Sequence, residues 1–173
     1  MAAPAQIQAR YVQEEDRILL RLNTVANEEF RFWLTRRFAL RLWPVLQDAL
    51  LSTPVATRQT SLTARQAIVA FEHEAAKSKA QFNTHFRDMD NLPLGETPLL
   101  VTQSGFRRET NGNFFLSLHN QQKQGISLSL TTDLLHLFCK LLEDATRQSD
   151  WAIPALVQEM SAHSAPLAAH RLN

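Results

Sequence analysis

Residues 17–49, RILLRLNTVANEEFRFWLTRRFALRLWPVLQDA, change their apolar period once, and that change decides the fold. From Arg17 to Asn23 and again from Glu28 to Leu34, apolar side chains recur at alternate positions, the period of a pleated strand. Ile18, Leu20, Leu22, Phe30, Phe32 and Leu34 then share one sheet face, while Arg17, Leu19, Arg21, Arg31 and Trp33 share the other. Beyond Thr35 the spacing becomes three and four. Phe38, Leu42, Val45, Leu46 and Ala49 form a helical stripe, with Thr35 in the N-cap place. Pro44 lies well inside that helix, where its missing N–H predicts a kink. An extended candidate, Gln6–Val12, precedes the run, so the unit reads strand, strand, strand, helix.

The same order returns after residue 97. Leu99–Arg108, Asn113–His119 and Gly125–Leu130 are strand candidates, and Thr131 opens an apolar-periodic stretch. A shift of 96 residues superposes the two copies. Residues 20–49 and 116–145 then agree at 25 of 30 positions in being apolar or not. Leu20/Leu116, Leu34/Leu130, Thr35/Thr131 and Leu46/Leu142 are identical, which covers the cap as well as the core. The fold class expected is α+β: a duplicated strand-strand-strand-helix unit forming a largely antiparallel sheet covered by helices. Repeat 1 spans about 6–51 and repeat 2 about 99–147, in a single pseudo-twofold domain of residues 1–150. Leu134, Leu137, Phe138, Leu141, Leu142 and Ala145 should pack on Ile126, Leu128 and Leu130. A connecting helix is expected over about 63–87, with Thr63 and Gln66 at capping-box spacing and Ile68, Phe71, Ala75, Phe82 and Phe86 down one side. Beyond Trp151 the composition shifts to Ala, Pro, Ser and His. Residues 151–173 read as a C-terminal tail, partly mobile, with Trp151, Ile153, Leu156 and Val157 available to dock.

Composition narrows the function classes. The 173 residues carry a formal net charge of +1 and a pI near 8.0, short of the strongly basic balance that marks many nucleic-acid binders. No apolar run approaches the roughly 18 residues needed to span a bilayer. Cys139 is the only cysteine, so an intramolecular disulfide is impossible, and Met1–Gln6 lacks a charged stretch leading into an apolar one. The expectation is a cytoplasmic setting. The four glycines are too scattered to cradle a phosphate, and no catalytic signature is present.

The candidate site is the outward face of the first sheet half. Arg17, Arg21 and Arg31 could neutralise phosphates beside Trp33, an indole suited to stacking, and Arg36, Arg37 and Arg41 lie just beyond. Two arginines in a helix's first turn oppose the helix dipole, which favours anions there. Alternatively these arginines pair with Glu28 and Glu29 on a solvated face, with Trp33 covered by the connecting helix. The matching face of the second copy, Asn113, Phe115, Ser117, His119, Ser127 and Ser129, carries no such charge. No metal is expected: His73 and His85 would stand roughly 18 Å apart along a helix. No cofactor is expected either, nor catalytic residues. Cys139 reads as a buried, inert thiol.

The segment Glu29 to Pro44, EFRFWLTRRFALRLWP, resembles stretches of uncharacterised bacterial, proteobacterial proteins of unknown function, a resemblance that implies no activity. At the level of fold, tandem units of strands followed by a helix resemble the Whirly and Pur-type single-strand nucleic-acid binders, whose units differ in strand number. The function expected is therefore a non-enzymatic interaction or scaffold protein with a protein partner. Single-stranded DNA or RNA binding is the alternative, no membrane is involved, and unpaired outer strands leave a homo-oligomer open.

Overall fold

The computed structural model describes residues 2–79 and 85–151. It is mixed α+β, with a four-stranded and a three-stranded sheet, mostly antiparallel, and helices packed against them. The first sheet joins β1 (Pro4–Val12), β2 (Arg17–Thr24), β3 (Glu29–Thr35) and the short β4 (Leu99–Leu100) in that order. The second joins β5 (Gln103–Arg108), β6 (Phe114–His119) and β7 (Gly125–Leu130). The helices are α1 (Arg36–Leu51), the single turn α2 (Pro54–Thr57), α3 (Leu62–Lys79) and α4 (Thr132–Arg147).

The alternation read from the sequence sets the register. Leu20 faces Phe32 and Leu22 faces Phe30 across the β2–β3 pair, and Leu116 faces Leu128 across β6–β7. All six are buried, within one core that also holds Phe38, Leu42, Trp43 and Leu46 of α1 and Leu135, Phe138, Cys139 and Leu142 of α4. Thr35 and Thr131 both cap: their hydroxyls accept from the Phe38 and Leu134 N–H groups. Helix α1 runs through Pro44, which sits with Leu40 on the exposed side. There solvent can take the place of the missing donor to the Leu40 carbonyl.

Two chain segments serve both sheets. Leu99 lies parallel to Phe32 of β3, the Val101 N–H donates to the Trp33 carbonyl, and the same strand then turns to β6 through the Thr102 N–H and the His119 carbonyl. At the N-terminus, Ala2 lies parallel to Leu128 of β7 before the chain enters β1. This exchange corrects the expected helix packing. Helix α4 packs on α3 and on β1 rather than on its own β7, and its buried side is Leu135, Phe138, Cys139, Leu142 and Ala145, with Leu134, Leu137 and Leu141 only half-buried.

The connecting helix also departs from expectation. Ser61 caps it, accepting from the Ala64 N–H, and its buried side is Val69, His73 and Ala76. Phe71 is 73% exposed. The expected stripe is thus rotated, because α3 packs mainly on α4 and places His73 against His136. Residues 85–90 are not helical, so the helix stops short of residue 87; Phe82 lies outside the described residues.

Trp151 is buried and closes on the β1–β2 turn. Its Nε1 donates to Asp16 Oδ1 at 2.8 Å, the Tyr11 hydroxyl donates to the same oxygen at 2.8 Å, and the two rings meet edge-on. Asp16 sits at φ 46, a left-handed position that aspartate tolerates better than most residues. These two hydrogen bonds hold its carboxyl below the usual range. Tyr11→Phe, which removes one donor to Asp16, is expected to lower the urea midpoint modestly, in unfolding followed by tryptophan fluorescence. Residues 152–173, including Ile153, Leu156 and Val157, lie outside the described residues.

Candidate functional site

The outward face of the first sheet is organised around Glu29. This carboxylate, at the start of β3, has no exposed side-chain surface. Arg21 reaches it from β2 through Nε at 2.8 Å and a terminal nitrogen at 2.6 Å, and Arg31 Nε reaches it at 2.7 Å. The register explains the convergence: Arg21 and Arg31 are direct cross-strand partners, and Glu29 precedes Arg31 by two on the same face. Burial alone would raise the Glu29 carboxyl. Hydrogen bonds from Arg31, the Met89 N–H and Arg21 outweigh it and hold the group below the usual carboxylate range.

Segment 85–98 is drawn over this network. The Met89 N–H donates to Glu29 Oε2 at 3.0 Å, Asp88 pairs with Arg21, and Arg31 donates to the Glu96 carbonyl. The Phe86 ring lies under the Arg21 guanidinium, 4.3 Å from its carbon to the ring centroid. Asn23 and Gln6 hold the Arg87 backbone from the neighbouring strands. Between this segment and the sheet runs a groove of about 570 Å³ lined by Leu19, Arg21, Arg31, Asp88, Asp90 and Glu96 among others. Its charges are balanced by its own walls.

The six residues named from the sequence therefore fall in different settings. Arg21 and Arg31 meet in the Glu29 network. Arg17 pairs with Glu15 at 3.4 Å. Trp33 is half-buried on the same face, in register with Leu19 on one side and Leu100 on the other. Segment 85–98, rather than the connecting helix, covers the face beside it. Arg36 and Arg37 are exposed in the first turn of α1 and make no ion pair with a described residue.

Arg37 belongs to a second groove. With Arg41, one turn along α1, it lines a space of about 630 Å³ bounded by Thr35, Phe38, Leu100, Val101, Thr102, Ser104 and Gln121. Among the described residues this wall has two guanidinium groups, three hydroxyls and no carboxylate. It forms where strand 99–108 leaves β3 for β6, so the start of α1 and the start of β5 come together. The i, i+4 spacing of Arg37 and Arg41 was the sequence signal for half of it; the other half, 60 residues onward, needed the strand exchange.

Cys139 is fully buried, and burial followed by the nearby Glu143 pushes its thiol far up. Among the described residues no group of three His, Cys, Asp or Glu side chains could hold a metal ion, and no helix is long and apolar enough to cross a membrane. Compared with protein families, with curated proteins and with solved structures, the chain finds no match in any of the three.

Proposed function

We propose that this is a non-enzymatic interaction or scaffold protein of the bacterial cytoplasm, and that it meets an acidic protein partner through the groove of Arg37 and Arg41. The observation that carries the reading is the imbalance of charge in that groove, where two arginines and the hydroxyls of Thr35, Thr102 and Ser104 face no acid among the described residues of their own wall. The sheet-face arginines are less suited, since Glu29 and Asp88 already match Arg21 and Arg31. The architecture is read as a duplication. Its support is the reciprocal strand exchange: Phe32 and Leu128, equivalent at a shift of 96, each receive a parallel partner from the other half.

Single-stranded nucleic acid is the second reading, favoured by the half-exposed Trp33, which neighbours Leu100 at the groove's edge. Fluorescence anisotropy with labelled polyglutamate and with mixed-sequence single-stranded DNA, each at two salt concentrations, separates the two. The expected result is salt-sensitive binding of polyglutamate that Arg37→Glu/Arg41→Glu weakens by about tenfold or more. Tighter binding of DNA that also needs Trp33 would transfer the groove to nucleic acid. Binding of neither probe at low salt would overturn the basic-groove reading.

A further inference from the structure

Strand β5 ends its sheet, with β6 on one side and no described strand on the other. Its pattern is unusually open for a strand: Gln103, Ser104, Arg107 and Arg108 are exposed, and only Gly105 and Phe106 are half-buried. The register fixes which main-chain groups look outward. The Glu109 N–H donates to the Asn113 carbonyl just past the strand's end, and alternation from there makes Arg107/Phe115 and Gly105/Ser117 the hydrogen-bonded pairs. The N–H and C=O groups of Ser104, Phe106 and Arg108 then point away from β6, along the open edge.

This edge runs into the basic groove at Ser104, which belongs to both. Arginines flank it throughout. Arg37 and Arg41 stand at the Ser104 end, the Arg107 guanidinium lies 3.7 Å over the Phe115 ring on the outer face, and Arg108 reaches the Ser52 carbonyl from the inner one. No acidic residue lies in β5. A second copy pairing edge to edge would crowd the arginines of both chains, a device that keeps natural edges apart.

We propose that β5 is a strand-addition site: an extended acidic segment of a partner protein pairs its backbone with the edge at Ser104, Phe106 and Arg108, and its carboxylates reach Arg37 and Arg41. This rests on the acidic-partner reading above and adds the mode of binding to it. Main-chain hydrogen bonds supply affinity in such complexes, and side-chain pockets supply choice.

The test uses the full chain and a labelled ten-residue peptide alternating Glu and Val. Two further versions carry N-methyl groups on one or the other alternate set of amides. Strand addition uses only the set facing β5, so one methylated peptide is expected to bind about tenfold or more weakly while the other stays within about twofold of the parent. Ser104→Pro, which removes an outward N–H and leaves the β6 ladder its donors, should weaken the parent peptide to the same degree with unchanged circular dichroism. Equal binding of all three peptides, with Arg37→Glu/Arg41→Glu still weakening them, would overturn strand addition and leave the charge reading standing. Indifference to both methylation and the arginine changes would overturn both. A dimer in sedimentation that Ser104→Pro dissolves would give the edge to a second copy and overturn the proposal.

Discussion

Glu29→Ala is expected to cost about 3 kcal/mol or more in urea unfolding, because it takes the shared acceptor from two arginines and one main-chain N–H at once. Arg21 and Arg31 keep only 17% and 25% of their side-chain surface exposed. Neither can turn fully to water when Glu29 goes. Arg21 retains Asp88, which is 79% exposed and therefore screened, while Arg31 keeps only a carbonyl. The same change frees the Met89 N–H, so segment 85–98 should lose protection in hydrogen exchange before the core does. A loss below about 1 kcal/mol, with Met89 still protected, would show that the carboxylate does not hold this face. Glu29→Gln separates charge from shape: it restores one acceptor and should recover less than half of the loss. The pH dependence has a definite sign. The folded-state carboxyl is held low, so its contribution is present above the unfolded-state pKa and is lost as pH falls through the folded value.

The second large effect is acid sensitivity centred on His136. Its ring and that of His73 are both buried between α4 and α3, 5.7 Å apart and edge-on. Burial first, and then His73, pushes His136 down from 6.5 to about 4, against a small opposing effect of Asp133. The neutral form is the one the fold accepts. As pH falls below 6.5 the unfolded chain takes up a proton that the folded one refuses, and stability declines until about pH 4, where both are protonated. That interval corresponds to about 3 kcal/mol. Glu72, whose Oε2 lies 3.6 Å from His136 Nε2, acts in the other direction, since burial raises its carboxyl and protonation relieves it. The measurement is therefore a difference: urea midpoints from pH 7.5 to 4 for the wild type and for His136→Leu. The two curves are expected to diverge below pH 6.5 by most of this amount. Parallel curves would dismiss the buried neutral histidine.

Much of the fold was legible because each unit obeys one period at a time. The alternation in 17–35 gave β2 and β3 with their buried face, and Thr35 and Thr131 marked both caps, because such signals depend only on near neighbours. The helix faces were harder. Helix α3 has weak amphipathicity, and although Ile68, Phe71 and Ala75 make the more apolar stripe, contact with α4 buries Val69, His73 and Ala76 instead. The site was half legible for a similar reason. Arg21, Glu29 and Arg31 share a face by simple counting, but Asp88 and Met89 arrive from beyond α3 with no local pattern to announce them. The basic groove and the open edge meet only because one strand serves two sheets.

That shared strand also orders the folding of the chain as it is made. The hairpins β1–β2 and β2–β3 join residues close in sequence and can form early, whereas β3 stays open along Trp33 until Leu99–Val101 emerge. Ala2 waits longer still, for Ser127 and Ser129 in the last third of the sequence. A nascent first half thus holds Phe30, Phe32 and Leu34 on a sheet that has no second wall, the condition in which chaperones engage a chain.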